Sequence, residues 1–194
     1  MTLKAERKAS LMTTLARHEI TTATEHRKTA VSWARRALRP CAAVIIGLET
    51  TAPEAGALIE MAVMETDTAI RMNTLVHPWA PIHPVAQRHH HLTDDMVAGA
   101  PAFRQILTEL ITVTDGRLVL AYNSGSAFDT VMRESERCGL DPEHLEDLSN
   151  WRSIAQARST WLGHPDHYLP IPRTTRALGQ CHAALQVLQD IAAD

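Results

Sequence analysis

The 194-residue sequence has no lysine beyond Lys28, only three cysteines, and no apolar run near the ~18 residues that cross a membrane. The last shortage excludes a helical membrane span. Cys41, Cys138 and Cys181 show no CxxC spacing and leave an odd count, which argues against a disulfide frame and against a zinc site. Reduced thiols in a cytoplasmic protein are the expectation. The first residues, MTLKAERKASLMTTLARHE, lack the apolar core of a secretion signal. No repeat and no low-complexity tract is present. What remains is an ordinary globular composition, 45% hydrophobic and 21% charged, long enough for one substantial core.

The net charge of −3 is unevenly spread. Residues 1–39 carry nine Lys/Arg against three Glu, and residues 40–194 carry ten Arg against nineteen Asp/Glu. A basic helical extension at 1–39 preceding a folded domain at 40–194 is the domain reading. Such an arm can contact nucleic acid, an acidic partner or its own body, or it can be a solvated helix face.

Thr22-Ala23-Thr24-Glu25 fits a capping box, with Ala30, Ala34 and Leu38 behind it at helical spacing and Pro40 as the stop. Ala42–Leu48 reads as a buried strand, and Leu58–Glu65 with Ala69–Val76 as a hairpin. The prolines of His77–Val85 predict a loop. Helices are expected from Thr93, over Ala102–Thr112, over Phe128–Cys138 with Gly139 as its stop, over Trp151–Leu162, and along the apolar row Leu178, Cys181, Leu185, Leu188. Arg117–Tyr122 reads as a further strand. Hairpin strands first and strand–helix alternation later predict an α/β fold with a mixed sheet flanked by helices.

Two places could carry chemistry. In Ile45-Ile46-Gly47-Leu48-Glu49-Thr50-Thr51 an apolar strand delivers one glutamate, and positions 47 and 49 share a face. Acids at both would make an edge able to hold Mg²⁺ or Mn²⁺; alone, a glutamate such as Glu49 is more often a surface residue or a loop acceptor than a ligand. In Tyr122-Asn123-Ser124-Gly125-Ser126-Ala127-Phe128-Asp129 a strand ends in small residues and a helix opens on Asp129. That acid suits a helix N-terminus or a metal. His89-His90-His91 reads as loop histidines, because neighbours in an extended segment point oppositely. Trp33, Trp151 and Trp161 read as packing residues, and Trp79, in the Pro-rich loop, as a residue able to meet a strand.

These segments resemble, in order, the motifs of the DnaQ-like (DEDDh) 3′–5′ exonucleases, the family of the proofreading epsilon subunit of DNA polymerase III. The first motif, Asp-x-Glu-Thr-Thr-Gly, is similar to Gly47-Leu48-Glu49-Thr50-Thr51-Ala52. The segment Leu75–Val97, with His90 and Thr93-Asp94-Asp95-Met96, is similar to the family's next stretch. Tyr122-Asn123 and Phe128-Asp129 match the second motif, with extra small residues between them. Thr175 to Gln180 holds the register of the third, His-x4-Asp. The resemblance runs from about Ala42 to Ala192 and implies a ribonuclease H-like fold. Active members of the family use two divalent metals held by four carboxylates and a histidine that activates water.

Carried over position by position, the resemblance implies a damaged site. Gly47 stands where the bridging aspartate belongs, Thr175 where the general-base histidine belongs, and Gln180 where the last aspartate belongs. Glu49 and Asp129 remain as residual ligands, with weak or no metal binding expected. Thr50, Thr51, Tyr122, Asn123 and Phe128 are the expected nucleic-acid contacts. The expectation is a catalytically inactive module in a larger nucleic-acid-processing assembly. It needs no cofactor, and its partner is a single-stranded 3′ end or a protein. The alternatives are an active exonuclease using Mg²⁺ or Mn²⁺ with unusual ligands, and a scaffold that docks through its basic arm.

Overall fold

Strand β1 (Ala43–Thr50) is the axis on which the other elements are placed. It pairs antiparallel with β2 (Leu58–Glu65), which pairs antiparallel with β3 (Ile70–Leu75). On its other side it pairs parallel with β4 (Leu118–Ala121), and β4 with β5 (Trp151–Ser153). The five-stranded order is therefore β3-β2-β1-β4-β5, a mixed sheet as the element pattern predicts. The computed structural model describes residues 23–164, 167–170 and 174–194.

Helix α1 covers 23–37, so the alanine row Ala30, Ala34 and Ala37 becomes its buried face. Thr22 and the tail before it, including part of the basic extension, lie outside the described residues. The remaining helices are α2 (Pro84–His90), α3 (Asp94–Val97), α4 (Phe103–Thr114), α5 (Ser124–Cys138), α6 (Ile154–Trp161) and α7 (Ala177–Ala193). Strand side chains alternate between faces, which splits the core in two. Ile45, Ala62, Met64 and Leu120 face α1, α6 and α7, whereas Val44, Ile46, Met61, Val63 and Val119 face α4 and α5. β2 is buried along its whole length, as a strand covered on both faces must be.

Three sequence expectations need correction. The Pro-rich loop ends earlier than expected, because Pro84 suits the first turn of a helix, where its missing N–H costs nothing. His89 and His90 are therefore helical, with His91 in the left-handed conformation as the cap. Trp151–Leu162 is not one helix: its first three residues pair with β4, and α6 starts behind the Ser153 cap. Helix α5 begins at Ser124, four residues before the expected start. The Asn123 side chain accepts from Ser126 N and lets the small residues wind into the first turn. Its end agrees with expectation, Gly139 taking the left-handed C-cap at φ 63°.

Candidate active site

β1 carries Gly47 and Glu49 on the face covered by α7. A Cβ built on Gly47 would lie 2.0 Å from the Ala177 carbonyl oxygen and 3.2 Å from Cys181 Sγ. The first turn of α7 thus rests directly on the strand, and only glycine permits that approach. The Cys181 thiol, pushed up to about 12 by burial, donates to Ile45 O and is an inert packing group.

Three residues into α7, Gln180 lies across the Leu48 peptide. Its Nε2 donates to Leu48 O (2.9 Å) and to Glu49 Oε1 (2.7 Å), and its Oε1 accepts from Leu48 N (3.3 Å). The pairing of β1 with β4 stops at Ile45↔Leu120, so beyond it the amide serves Leu48 as a strand would. An aspartate at 180 would lack the donor that two of these three bonds require.

Glu49 is only 6% exposed, and burial pushes its carboxyl up to about 7 against the opposing effect of the Gln180 hydrogen bond. The negative charge of Glu60 adds to the rise. Glu60 is the cross-strand partner of Glu49 on the same face, and it is 3% exposed. It accepts from the Arg176 guanidinium and, through Oε2, from Ala177 N at 2.9 Å, so it caps the N-terminus of α7. Glu60 and Arg176 were not among the expected site residues. A charge in the middle of Leu-Ile-Glu-Met-Ala-Val, on a strand with no solvent face, was the signal for the first.

The other expected residues scatter around this latch. Asp129 is exposed on α5 and lines a hollow of about 500 Å³ with Thr50, Glu54, Gly125 and Arg133. Glu49 does not line that hollow. Thr175 is exposed ahead of α7, and His182 points to solvent. Thr51 is turned inward, its hydroxyl oxygen accepting from Ala57 N. Phe128 packs edge-on against Trp151. His90 is buried, its Nδ1 accepting from Leu92 N, and burial, with His89 beside it, pushes its imidazole below the ordinary value. Trp79 is 50% exposed, and its indole N–H is held by Glu134.

A second hollow, about 210 Å³, opens between α5 and α7 and is lined by Leu48, Thr50, Tyr122, Asn123, Tyr168 and Gln180 among others. Tyr122 OH donates to Leu169 O and accepts from Arg158, while its ring meets Tyr168 edge to face. Tyr168, 60% exposed, is the aromatic the sequence reading missed, since nothing near it in the chain marks it.

The residues present do not fit a pair of divalent ions. Gly47 offers no oxygen and no room for one. One Glu49 carboxylate oxygen, Oε1, accepts the Gln180 amide N–H. Among the described residues no three His, Cys, Asp or Glu side chains stand together as a metal-binding group.

Comparison with known proteins gives this arrangement a lineage. The exonuclease family model RNase_T matches residues 44–188. DNA polymerase III subunit epsilon of Treponema pallidum (strain Nichols) is 26% identical over 99 residues, 51% of this chain and 46% of that protein. The match thus spans about half the length of that curated relative. Among solved structures, the nuclease domain of 3′hExo, a DEDDh family member bound to rAMP, superposes with a TM-score of 0.53 at 16% identity. It covers 76% of this chain and 91% of that one. Exonuclease X in complex with 5′ overhanging duplex DNA gives 0.51 at 24% identity, covering 77% and 90%. E. coli Exonuclease I in complex with a dA16 oligonucleotide gives 0.60 at 9% identity, covering 74% and 39%. At these identities the structures establish the ribonuclease H-like fold.

Proposed function

Because the chain belongs to the DnaQ-like exonuclease family, we propose that it is a member that has given up cleavage and keeps the fold to bind. The observation that carries this reading is the contact of α7 with β1. The Ala177 carbonyl fills the place of a Gly47 side chain, and Gln180 ties up Glu49 and Leu48. Thr175, in the position that the resemblance gives to the general base, takes no proton from water near neutral pH. General-base help of this kind is worth roughly 10²–10⁴-fold.

What the fold retains is a polar hollow with aromatic and hydroxyl walls. Tyr168 presents its exposed ring to a base, and Asn123 and Thr50 present polar groups to the sugar or phosphate of a single-stranded 3′ end. A nucleic-acid-processing assembly in the cytoplasm suits this reading, since Cys41, Cys138 and Cys181 are all free thiols.

The test is direct. A 5′-labelled single-stranded DNA or RNA incubated with the protein and Mg²⁺ or Mn²⁺ stays at full length, yet raises fluorescence anisotropy. Tyr168→Ala and Asn123→Ala each weaken that binding several-fold. Trimming from the 3′ end that Glu49→Ala abolishes refutes the proposal. It would establish the second reading, an active enzyme with unusual ligands. The exposed Asp129 beside Glu54 favours that alternative.

A further inference from the structure

Helix α1 carries a feature that the exonuclease reading does not use. A groove of about 550 Å³ runs along it, lined by Arg27, Lys28, Arg35, Arg36, Arg39 and Asp194, with Thr24, Val31 and Ser32 between them. Five cations thus face one carboxylate. Arg27 pairs with that carboxylate at 2.5 Å, and Arg35 Nε donates to Ala192 O. Among the described residues, Lys28, Arg36 and Arg39 have no carboxylate within 4 Å, and all three are exposed. Among the described residues, these three of the five groove cations therefore pair with no carboxylate of the body.

We propose that this groove is a second nucleic-acid site that holds the sugar-phosphate backbone of a single strand. Helical geometry puts Lys28 and Arg35 in one row about 10 Å long with Arg36 beside them, and Arg39, two residues past the end of α1, lines the same groove. A row of cations matches a row of phosphates, and four of the five are arginines, whose planar fork engages phosphate oxygens in pairs. An acidic protein fits less well. Protein interfaces centre on apolar or aromatic anchors. None of the large exposed hydrophobic residues lies on α1, and Val31, the apolar residue of the groove, is itself buried. Asp194 and Gln180 are fourteen residues apart on or just past α7, so the groove lies roughly 20 Å from the closed site. The inference goes beyond the proposed reading, and each can fail without the other.

The experiment measures anisotropy of labelled dT20 and U20 against salt concentration, using the full chain. Lys28→Gln, Arg36→Gln and Arg39→Gln are combined, and a second variant carries Glu at the same positions. Arg27 and Arg35 are left alone because they hold the end of α7. Thermal melting confirms the fold of each variant. The expected result is an affinity loss of about tenfold in ~0.1 M salt, with the salt slope shallower by about 2, near 0.7 for each lost phosphate contact. Loss should be greater for the Glu variant. Unchanged affinity and slope in a folded variant overturn the proposal, as does equal competition by polyglutamate. Should Tyr168→Ala abolish binding while these variants do not, the groove falls and the proposed function stands; the reverse pattern sinks the hollow and keeps the groove.

Discussion

Helix α7 meets the rest of the protein in two contrasting ways. At its N-terminal end it lies against β1 with no gap. Glycine removes the side chain that would separate them, Gln180 satisfies the strand, and Glu60 caps the helix. At its C-terminal end it packs on the apolar face of α1, the polar links between them are the exposed Arg27–Asp194 pair and one arginine–carbonyl bond, and among the described residues Lys28, Arg36 and Arg39 pair with no carboxylate. At the buried end the polar groups of Leu48 and Gln180 answer one another, Glu60 answers Ala177 N, and the hollow beside them is lined by Thr50, Asn123 and Tyr168 among others. The open end has charge to spare. The unpaired cations of the open end lie roughly 20 Å from the Gln180 contact.

The sharpest way to break this contrast is to force a side chain into the closed end. Gly47→Asp puts a carboxylate against the Ala177 carbonyl and should cost more than about 3 kcal/mol through overpacking and an unpaired buried charge. Urea unfolding checks it: an unchanged midpoint would mean that α7 can lift and that the closure is soft.

Next in size is Glu60→Ala, which opens a cavity in a fully buried strand, uncaps α7 and removes the partner of the half-exposed Arg176. The expected cost is about 3 kcal/mol in the same measurement, and a change below about 0.5 kcal/mol would remove Glu60 from the account of the latch.

Glu49 sharpens the comparison through pH. Its folded carboxyl is raised to about 7 from 4.5, so the folded state holds its proton more tightly than the unfolded state does. Stability therefore falls as pH rises from about 4.5 to 7 and levels off above, by roughly 3 kcal/mol. Glu49→Gln should flatten that slope and leave the variant more stable than the parent at pH 8. Parallel pH–stability curves for the two proteins would contradict a buried, closed-in Glu49.

The smallest effect belongs to the open end. Asp194→Asn removes the one carboxylate of the groove, and as an exposed pair its loss should leave the melting temperature nearly unchanged. Affinity for dT20 should rise by about twofold. A large drop in melting temperature would show that the C-terminal contact is a structural clamp.

Much of this was legible in the chain. The hairpin, β1, the capped helix at Thr93 and the Gly139 stop follow from local periodicity and turn chemistry, and their observed bounds agree within a residue or two. The shared face of positions 47 and 49 follows from strand alternation. What stayed hidden depends on distant partners or on very short elements. β5 has three residues and so no period to detect. The reason for glycine at 47 lies 130 residues away in the Ala177 carbonyl, and the reason for glutamine at 180 lies in a strand that stops pairing one turn too soon. Glu60 sits in an apolar run whose burial on both faces emerges only once the sheet is assembled.

The most direct measurement is a calorimetric titration of the purified protein with Mn²⁺ near neutral pH, repeated by electron paramagnetic resonance to count bound ions. A β1–α7 contact closed by Gly47 and Gln180 predicts no saturable binding up to millimolar metal. Two tightly bound ions per chain, lost together in Glu49→Ala, would contradict it.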